Sequence, residues 1–197
     1  MQGKKIMTFI TFSTKDGNAT LKIANLTVCA VELREIGGES IVVRVYGDYN
    51  NQIKTRQEKN TVTVLQTHSG ESLASNIFLI IYIPEGTKLI VNESNLWLAS
   101  KVRLGNVEIC NRHGKQVILP NIIGSIKAYL SNRSTICVSG IFVDVDVSCV
   151  NGCTAIINGD VSKSYKAITR EGTSINHLGR VNCSVERIIE NKSMIII

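Results

Sequence analysis

Gly105-Asn-Val-Glu-Ile109 begins a pattern that repeats along the second half of the chain. The same order of glycine, polar residue and apolar residue returns in three later segments: Gly124-Ser-Ile-Lys-Ala128, Gly159-Asp-Val161 and Gly179-Arg-Val-Asn-Cys183. Gly140 belongs to the same series, in which the interval from Gly124 to Gly140 is the shortest. A second series alternates with the first at a similar spacing: Gly114, Ser134, Gly152 and Gly172. The second half of the chain therefore consists of repeats of about 20 residues, each with two corners.

A repeat of this length has a direct structural meaning. One unit is too short to bury its own apolar face, but stacked units pair strand upon strand and share one core. Glycine suits the corners, where the chain must turn tightly. The pattern favours a β-solenoid over its competitor, a plain β-sandwich whose glycine turns would follow the same half-period.

The first part of the chain has alternating apolar and polar residues without this regular spacing. Ile83-Pro-Glu-Gly86 separates the two parts. Proline fixes the second position of a turn and glycine is favoured at the fourth, so this segment predicts a sharp corner. We therefore expect an N-terminal antiparallel β region over residues 1–86. A β-helix-like repeat region with a strand-like C-terminal cap is expected over residues 87–197.

Composition excludes several classes of protein. The 197 residues are 44% hydrophobic and 19% charged, which is too apolar for a disordered chain. No window reaches the roughly 18 to 20 consecutive apolar residues of a membrane helix. Thr8, Thr11 and Ser13 interrupt any apolar core of a signal peptide. We therefore expect a cytoplasmic protein without a transmembrane segment; a place at the cell surface would require another route of export.

The six cysteines are expected to be small buried residues rather than metal ligands. Cys149 and Cys153 lie four positions apart, a spacing unlike that of a Cys-x-x-Cys redox pair or a paired zinc site. The sequence predicts no metal site and no cofactor.

At this point the residues resemble a known family. Alternating strands, the segment Tyr82-Ile-Pro-Glu-Gly-Thr-Lys-Leu-Ile-Val91 and the repeated Gly-x-Val-x-Ile units are similar to bacterial putative adhesins of a β-strand-repeat class of unknown function, related to autotransporter adhesin head domains. The resemblance extends from about Thr20 to Cys183. It implies an all-β protein with a strand-rich N-terminal region and a right-handed β-helix-like stack, and it includes no catalytic signature. A second, weaker likeness is to the bactofilins, which are polymer-forming cytosolic β-solenoids.

No catalytic motif is visible in the sequence. Nucleophile elbows, phosphate-binding loops, dinucleotide fingerprints and zinc-protease helices are all missing, so we expect no enzymatic activity. Asp144 and Asp146 form an acidic pair, two apart on a predicted strand, so both carboxylates should project from one face while Val143, Val145 and Val147 point inward. This pair is the one visible starting point for a calcium site or for cleavage of a polysaccharide, but the preferred interpretation is the solvated face of a strand.

Basic residues are concentrated in one stretch of the repeat region. If successive repeats stack, their outward side chains line up, and the stretch would form a positive stripe for phosphates, anionic lipid or an acidic partner. A solvated face is the alternative. Nucleic acid is not expected as a partner, because Tyr129 is the one aromatic residue there. The candidate stripe consists of Lys101, Arg103, Arg112, Lys115, Lys127 and Arg133.

Two further features bear on partners. Trp97, the single tryptophan, is expected to fill the junction between the two regions, with a partner anchor as the alternative. The apolar C-terminal segment from Val185 to Ile197 would either cap the last repeat or pair with another copy of the chain.

The sequence as a whole predicts a non-catalytic structural or interaction scaffold of the putative-adhesin type. We expect it to associate with itself through strand edges or to bind another protein along its β-stack. The alternatives are a polysaccharide-binding or polysaccharide-cleaving β-helix protein and a bactofilin-like cytoskeletal polymer.

Overall fold

A computed structural model describes residues 7–14, 18–26, 30–47, 52–67, 77–98 and 102–197. These residues form strands and no helix, so the all-β prediction is confirmed. The strands that precede the predicted corner are β1 (Met7–Ser13), β2 (Thr20–Ala24), β3 (Ala30–Glu35), β4 (Ser40–Tyr46), β5 (Ile53–Glu58), β6 (Thr61–Gln66) and β7 (Phe78–Ile83). Those that follow it are β8 (Lys88–Asn92), β9 (Leu96–Trp97), β10 (Val107–Asn111), β11 (Gln116–Ile122), β12 (Ile126–Ser131), β13 (Thr135–Val150), β14 (Thr154–Arg170), β15 (Ser174–Leu178), β16 (Ser184–Ile189) and β17 (Met194–Ile196).

The second half of the chain is a β-solenoid of about 5 turns, as the repeats predict. Each turn contributes one strand to each of two faces, and neighbouring strands on a face are parallel. β13 and β14 continue around a corner and so contribute to both faces. The first face contains β8, β10, β12, residues 144–150, residues 164–170 and β16. The second face contains β9, β11, residues 135–140, residues 154–159, β15 and β17, and residues 141–142 and 160–162 continue into the corner beyond it.

The N-terminal strands pair in both directions. β1 with β4, β4 with β7 and β5 with β6 are antiparallel, whereas β3 with β7 and β2 with β6 are parallel. β2 also pairs in parallel with β8, the first strand of the repeat region. The parallel stack therefore continues across the corner at Pro84–Gly86, and buried residues of both regions belong to one core cluster. The division of the chain at residue 86 stays a prediction.

The alternating sequence forms the solenoid core because a side chain points inward at every second position of a strand. In-register stacking then places equivalent residues of successive turns above one another. One such inward column of buried side chains contains Leu89, Val107, Ile126, Val145 and Tyr165.

The glycines of the first series lie at corners, but they form two separate stacks. Gly105 lies over Gly86 and Gly124 over Gly105, whereas Gly159 lies over Gly140 and Gly179 over Gly159. A Cβ atom on Gly159 would overlap the carbonyl oxygen of Gly140, so the backbones approach too closely for any side chain. The short interval between Gly124 and Gly140 in the sequence marks the step from one stack to the other.

The opposite corner is a two-residue turn with positive φ at both positions. In successive turns of the solenoid these positions hold His113–Gly114, Asn132–Arg133, Asn151–Gly152, Glu171–Gly172 and Asn191–Lys192. The assignment of Ser134 to this series was therefore wrong by one residue. Arg133, with φ 65°, takes the place that glycine takes in three other turns. Ser134 is instead buried, and its hydroxyl donates to the carbonyl of Ser131 at 2.9 Å.

Candidate functional surfaces

The first face of the solenoid presents a ladder of alternating charge. Glu108, Lys127, Asp146, Lys166 and Glu186 occupy one outward column, each in register with the next. The Glu186 carboxylate lies 3.0 Å from the Lys166 ammonium. The Lys88 ammonium, on the adjoining strand, lies 2.6 Å from the Glu108 carboxylate. Neighbouring charges of the column are opposite in sign, so the ladder largely neutralises itself.

The predicted acidic pair is divided between two environments. Asp144 accepts hydrogen bonds from the hydroxyls of Ser164 at 2.7 Å and Ser125 at 2.9 Å. These bonds lower the pKa of the Asp144 carboxyl. Asp146 instead belongs to the charge ladder, between Lys127 and Lys166. Among the described residues no group of three or more histidine, cysteine or acidic side chains could hold a metal ion.

The strand carrying the pair departs from strict alternation at a bulge. The register shifts between Phe142 and Asp144, so Phe142 is buried and Val143 is 40% exposed. The expectation that Val143 points inward was therefore wrong, whereas Val145 and Val147 are buried.

The basic residues of the candidate stripe lie in three separate places. Arg103 lies at the corner of the glycine stacks, where its guanidinium is 3.0 Å from the Glu85 carboxylate. Lys127 belongs to the charge ladder. The other three lie at the opposite corner: Arg112 and Lys115 flank the turn at His113–Gly114, and Arg133 lies in the next turn. The guanidinium of Arg112 lies 3.6 Å from the Glu93 carboxylate. Lys101 lies outside the described residues.

The second face carries no ladder of charged side chains like that of the first face. Residues 116–123, 135–143, 154–159 and 174–179 contain no Asp, Glu, Lys or Arg. One outward column of the face carries amide and hydroxyl groups: Gln116, Thr135, Thr154 and Ser174. The column beside it is mostly apolar: Trp97, Ile118, Cys137, Ile156 and Asn176. Sequence reasoning missed this contrast because the uncharged segments alternate along the chain with charged ones.

Trp97 lies at the start of the apolar column and is 75% exposed. The expectation that it fills the junction between the two regions was wrong. It lines a groove of about 520 Å³ together with Ala30, Val31, Asn95, Gln116 and Ile118. Its strand partner is Ile118, so the indole is the first member of a strip that continues along the second face.

The C-terminal turn leaves the end of the solenoid uncovered. Among the described residues β16 pairs with β14 alone and β17 with β15 alone, so each has an open edge. Val185 and Ile189 occupy inward columns but are exposed, because no further described strand covers them. Met194 and Ile196 are also exposed.

The buried titratable groups have no visible role in a site. The described cysteines are free thiols, and burial raises the pKa of Cys149 to about 12. Burial also raises the pKa of the Tyr165 phenol and lowers the pKa of His177. The part of the chain that the structure describes contains no helix able to cross a membrane.

Several solved structures resemble the chain over nearly its whole length. A putative adhesin from Parabacteroides distasonis is 12% identical, with a TM-score of 0.51, covering 99% of this chain and 98% of that chain. A putative adhesin from Parabacteroides merdae is 13% identical, with a TM-score of 0.44, covering 98% and 96%. A putative lipid binding protein from Parabacteroides distasonis is 10% identical, with a TM-score of 0.47, covering 98% and 96%. No protein-family model and no curated protein matches the chain. The resemblance to putative adhesins is thus confirmed at the level of the fold.

Proposed function

We propose that the protein is a non-catalytic interaction scaffold that associates with a second copy through the open edge of its last solenoid turn. The observation that carries the proposal is this uncovered end, where two strands with free edges adjoin exposed apolar side chains. A strand edge presents unpaired N–H and C=O groups, which readily pair with another edge. Solved proteins of the same fold are named putative adhesins, a name that fits a binding role.

Two modes of association follow from the sheet order. Pairing of β16 and β17 with the same strands of a second copy uses one surface twice and closes as a dimer. Pairing of this end with the other end of a second copy leaves free ends at both sides and grows as a filament, as the bactofilin alternative requires. The opposite end of the same sheet is β5, whose exposed side chains are polar or charged, so an apolar open edge lies at β16 and β17 and we favour the closed dimer.

A polysaccharide-cleaving role has less support. Cleavage of a glycosidic bond generally requires two carboxyl groups, one of them protonated to act as a general acid. Hydrogen bonds from two serines keep Asp144 ionised, and Asp146 lies between two lysines. Asp144 is therefore poorly suited to donate a proton.

Light scattering tests the proposed association. The full chain is expected to scatter as a dimer at micromolar concentration, and a chain truncated after Lys192, which lacks β17, as a monomer. Ile196→Asp should give the same result in the full chain. Ile123→Asp is the matched control, because Ile123 is 44% exposed and Ile196 is 47% exposed, but Ile123 lies at a corner away from the open edge. Monomeric behaviour of the full chain, or equal dissociation by both aspartates, would contradict the proposal.

The cytoplasmic location stays a prediction from the sequence. Fractionation of the source cells, with a cytosolic enzyme and a surface protein as markers, is expected to place the protein in the cytosolic fraction.

A further inference from the structure

We infer that the uncharged second face binds a neutral, linear oligosaccharide lying along the stack, with Trp97 as the platform on which one sugar ring packs. The inference rests on the proposed role as a binding scaffold but not on association of two copies. It assigns a ligand class and a surface distinct from the open C-terminal edge.

The absence of charge defines the class of ligand. Across four successive turns the second face presents hydroxyl, amide and apolar side chains, whereas the first face presents a charge at each turn from Glu108 to Glu186. Charged residues next to the second face lie at its corners, among them Lys115, Arg133, Asp160 and Arg180. A phosphate, sulfate or uronic acid ligand would find no cation on this face to pair with. An uncharged ligand needs no charged partner, so the lack of charged side chains on this face does not weaken its binding.

Trp97 provides the apolar platform. Its side chain is 75% exposed at the edge of a groove whose described lining residues carry no charge. A pyranose ring has an apolar face of C–H groups and a rim of hydroxyls, so it can cover an indole while its rim reaches polar neighbours. Large exposed aromatic side chains beside such polar groups are typical binding anchors. The Gln116 amide lines the same groove.

The polar column extends the groove along the stack. Gln116, Thr135, Thr154 and Ser174 follow one another in register, at the spacing of about 4.8 Å between paired strands. The Thr154 and Ser174 hydroxyls are 3.5 Å apart, at the limit of a hydrogen bond, and the Thr135 hydroxyl has no partner among the described side chains. A linear oligosaccharide, whose hydroxyls recur at each ring, presents donors and acceptors along such a column.

The strand pairing argues against a peptide in the same place. An extended peptide binds a sheet mainly by adding to a free strand edge. β11 is paired with β9 and with β13, and residues 135–140 are paired on both sides, so the backbone in the middle of this face is already paired, and its edge strands are β9 and β17. Between these edge strands, a ligand therefore contacts side chains rather than unpaired backbone groups.

Fluorescence of Trp97 provides a direct test, since it is the only tryptophan. Titration of the full chain with the neutral hexasaccharides cellohexaose or maltohexaose is expected to shift its emission to shorter wavelength. The hexasaccharide should bind about tenfold more tightly than the corresponding disaccharide, and its affinity should be equal in low and high salt. No shift with either hexasaccharide, or a shift only with oligogalacturonate, would overturn the inference.

Variants locate the ligand. Trp97→Ala and the double variant Thr135→Val with Thr154→Val should each weaken hexasaccharide binding about tenfold by calorimetry. Lys127→Ala with Asp146→Ala, on the first face, is the matched control and should bind as the unmodified chain does. Equal affinity for the hexasaccharide in Trp97→Ala, in the threonine double variant and in the control would overturn the inference. Light scattering of the same samples distinguishes the two proposals: dimers that bind no sugar contradict this inference alone, and monomers that bind it contradict the proposed association alone.

Discussion

Gly159 shows how a single residue sets the spacing of the solenoid. Its φ of 148° is rarely adopted by residues with a side chain, and the carbonyl of Gly140 occupies the space that a Cβ atom would need. The corner can therefore be close-packed only because both turns have glycine there.

Substitution of Gly159 should be among the most damaging changes in the chain. Gly159→Ala combines an unfavourable backbone conformation with steric overlap, and we expect it to lower the free energy of unfolding by about 3 kcal/mol. Urea denaturation followed by circular dichroism measures the change. Gly37→Ala is the control and should be nearly neutral, because no atom lies within 4 Å of the added methyl group. Equal effects of the two would contradict the steric explanation.

His177 makes the stability of the last turns depend on pH. It is 4% exposed, its ring meets the Tyr165 ring edge-on at 5.1 Å, and neither ring nitrogen has a hydrogen-bond partner among the described residues. Burial lowers the pKa of His177, while the backbone of Gly159 and the carboxylate of Asp160 partly oppose this. The folded state therefore binds fewer protons than the unfolded state. Stability is complete above the ordinary histidine pKa of about 6.5 and falls as the pH drops below it.

Replacement by leucine should remove this dependence. The column that contains His177 is otherwise apolar, with Leu119, Val138 and Ile157. His177→Leu is expected to raise the melting temperature, and more at pH 5 than at pH 8, because an apolar side chain needs no partner there. His113→Asn, at an exposed corner, should retain the pH dependence of the unmodified chain. If His177→Leu loses as much stability between pH 8 and pH 5 as the unmodified chain does, His177 is not the source of the pH dependence.

At the scale of the strand, register decides which charges meet. Lys127 lies between Glu108 and Asp146 because β12 pairs in register with β10 and with residues 144–150. Like charges at such positions would repel across about 4.8 Å. The run of basic residues in the sequence is thus distributed over a ladder and two corners.

Reversal of one charge tests the ladder. Lys127→Glu would place three acidic residues in succession, and we expect a loss of about 1 kcal/mol at low salt. High salt should recover most of this loss by screening. Lys127→Gln is the control, with a smaller loss and weaker salt dependence. Thermal unfolding at two ionic strengths provides the measurement; a loss that salt does not reduce would show that the ladder is not the cause.

At the scale of the whole molecule, the described solenoid has strands paired on both sides in its middle and strands with a single partner, β16 and β17, at one end. Residues 144–150 are paired on both sides, whereas β16 is paired on one side. In stacked repeats each turn is stabilised by its neighbours, so a terminal turn opens more readily.

Hydrogen exchange should reveal this gradient. In dilute protein the amides of Ser184–Ile189 are expected to exchange at least about tenfold faster than those of residues 144–150. At high concentration the difference should diminish if the open edges pair. Mass spectrometry of peptic fragments measures both rates, and uniform protection along the solenoid at every concentration would contradict the gradient.

The repeat length, the strand class and most corner positions follow from the sequence alone. Alternation and glycine spacing are local properties, and in-register stacking repeats them in every turn. This is why the β-solenoid could be predicted, although Ser134 was placed one residue off because Arg133 adopts a positive φ without being glycine.

Which side chains share a surface depends on the tertiary structure. Stacking joins residues that are one repeat apart, and alternate segments of each turn go to opposite faces. It gives Asp144 and Asp146 different partners, disperses the basic residues and gathers the uncharged segments around an exposed Trp97. Such contacts depend on register and on the position of each bulge, which are set by packing between turns rather than by any one segment.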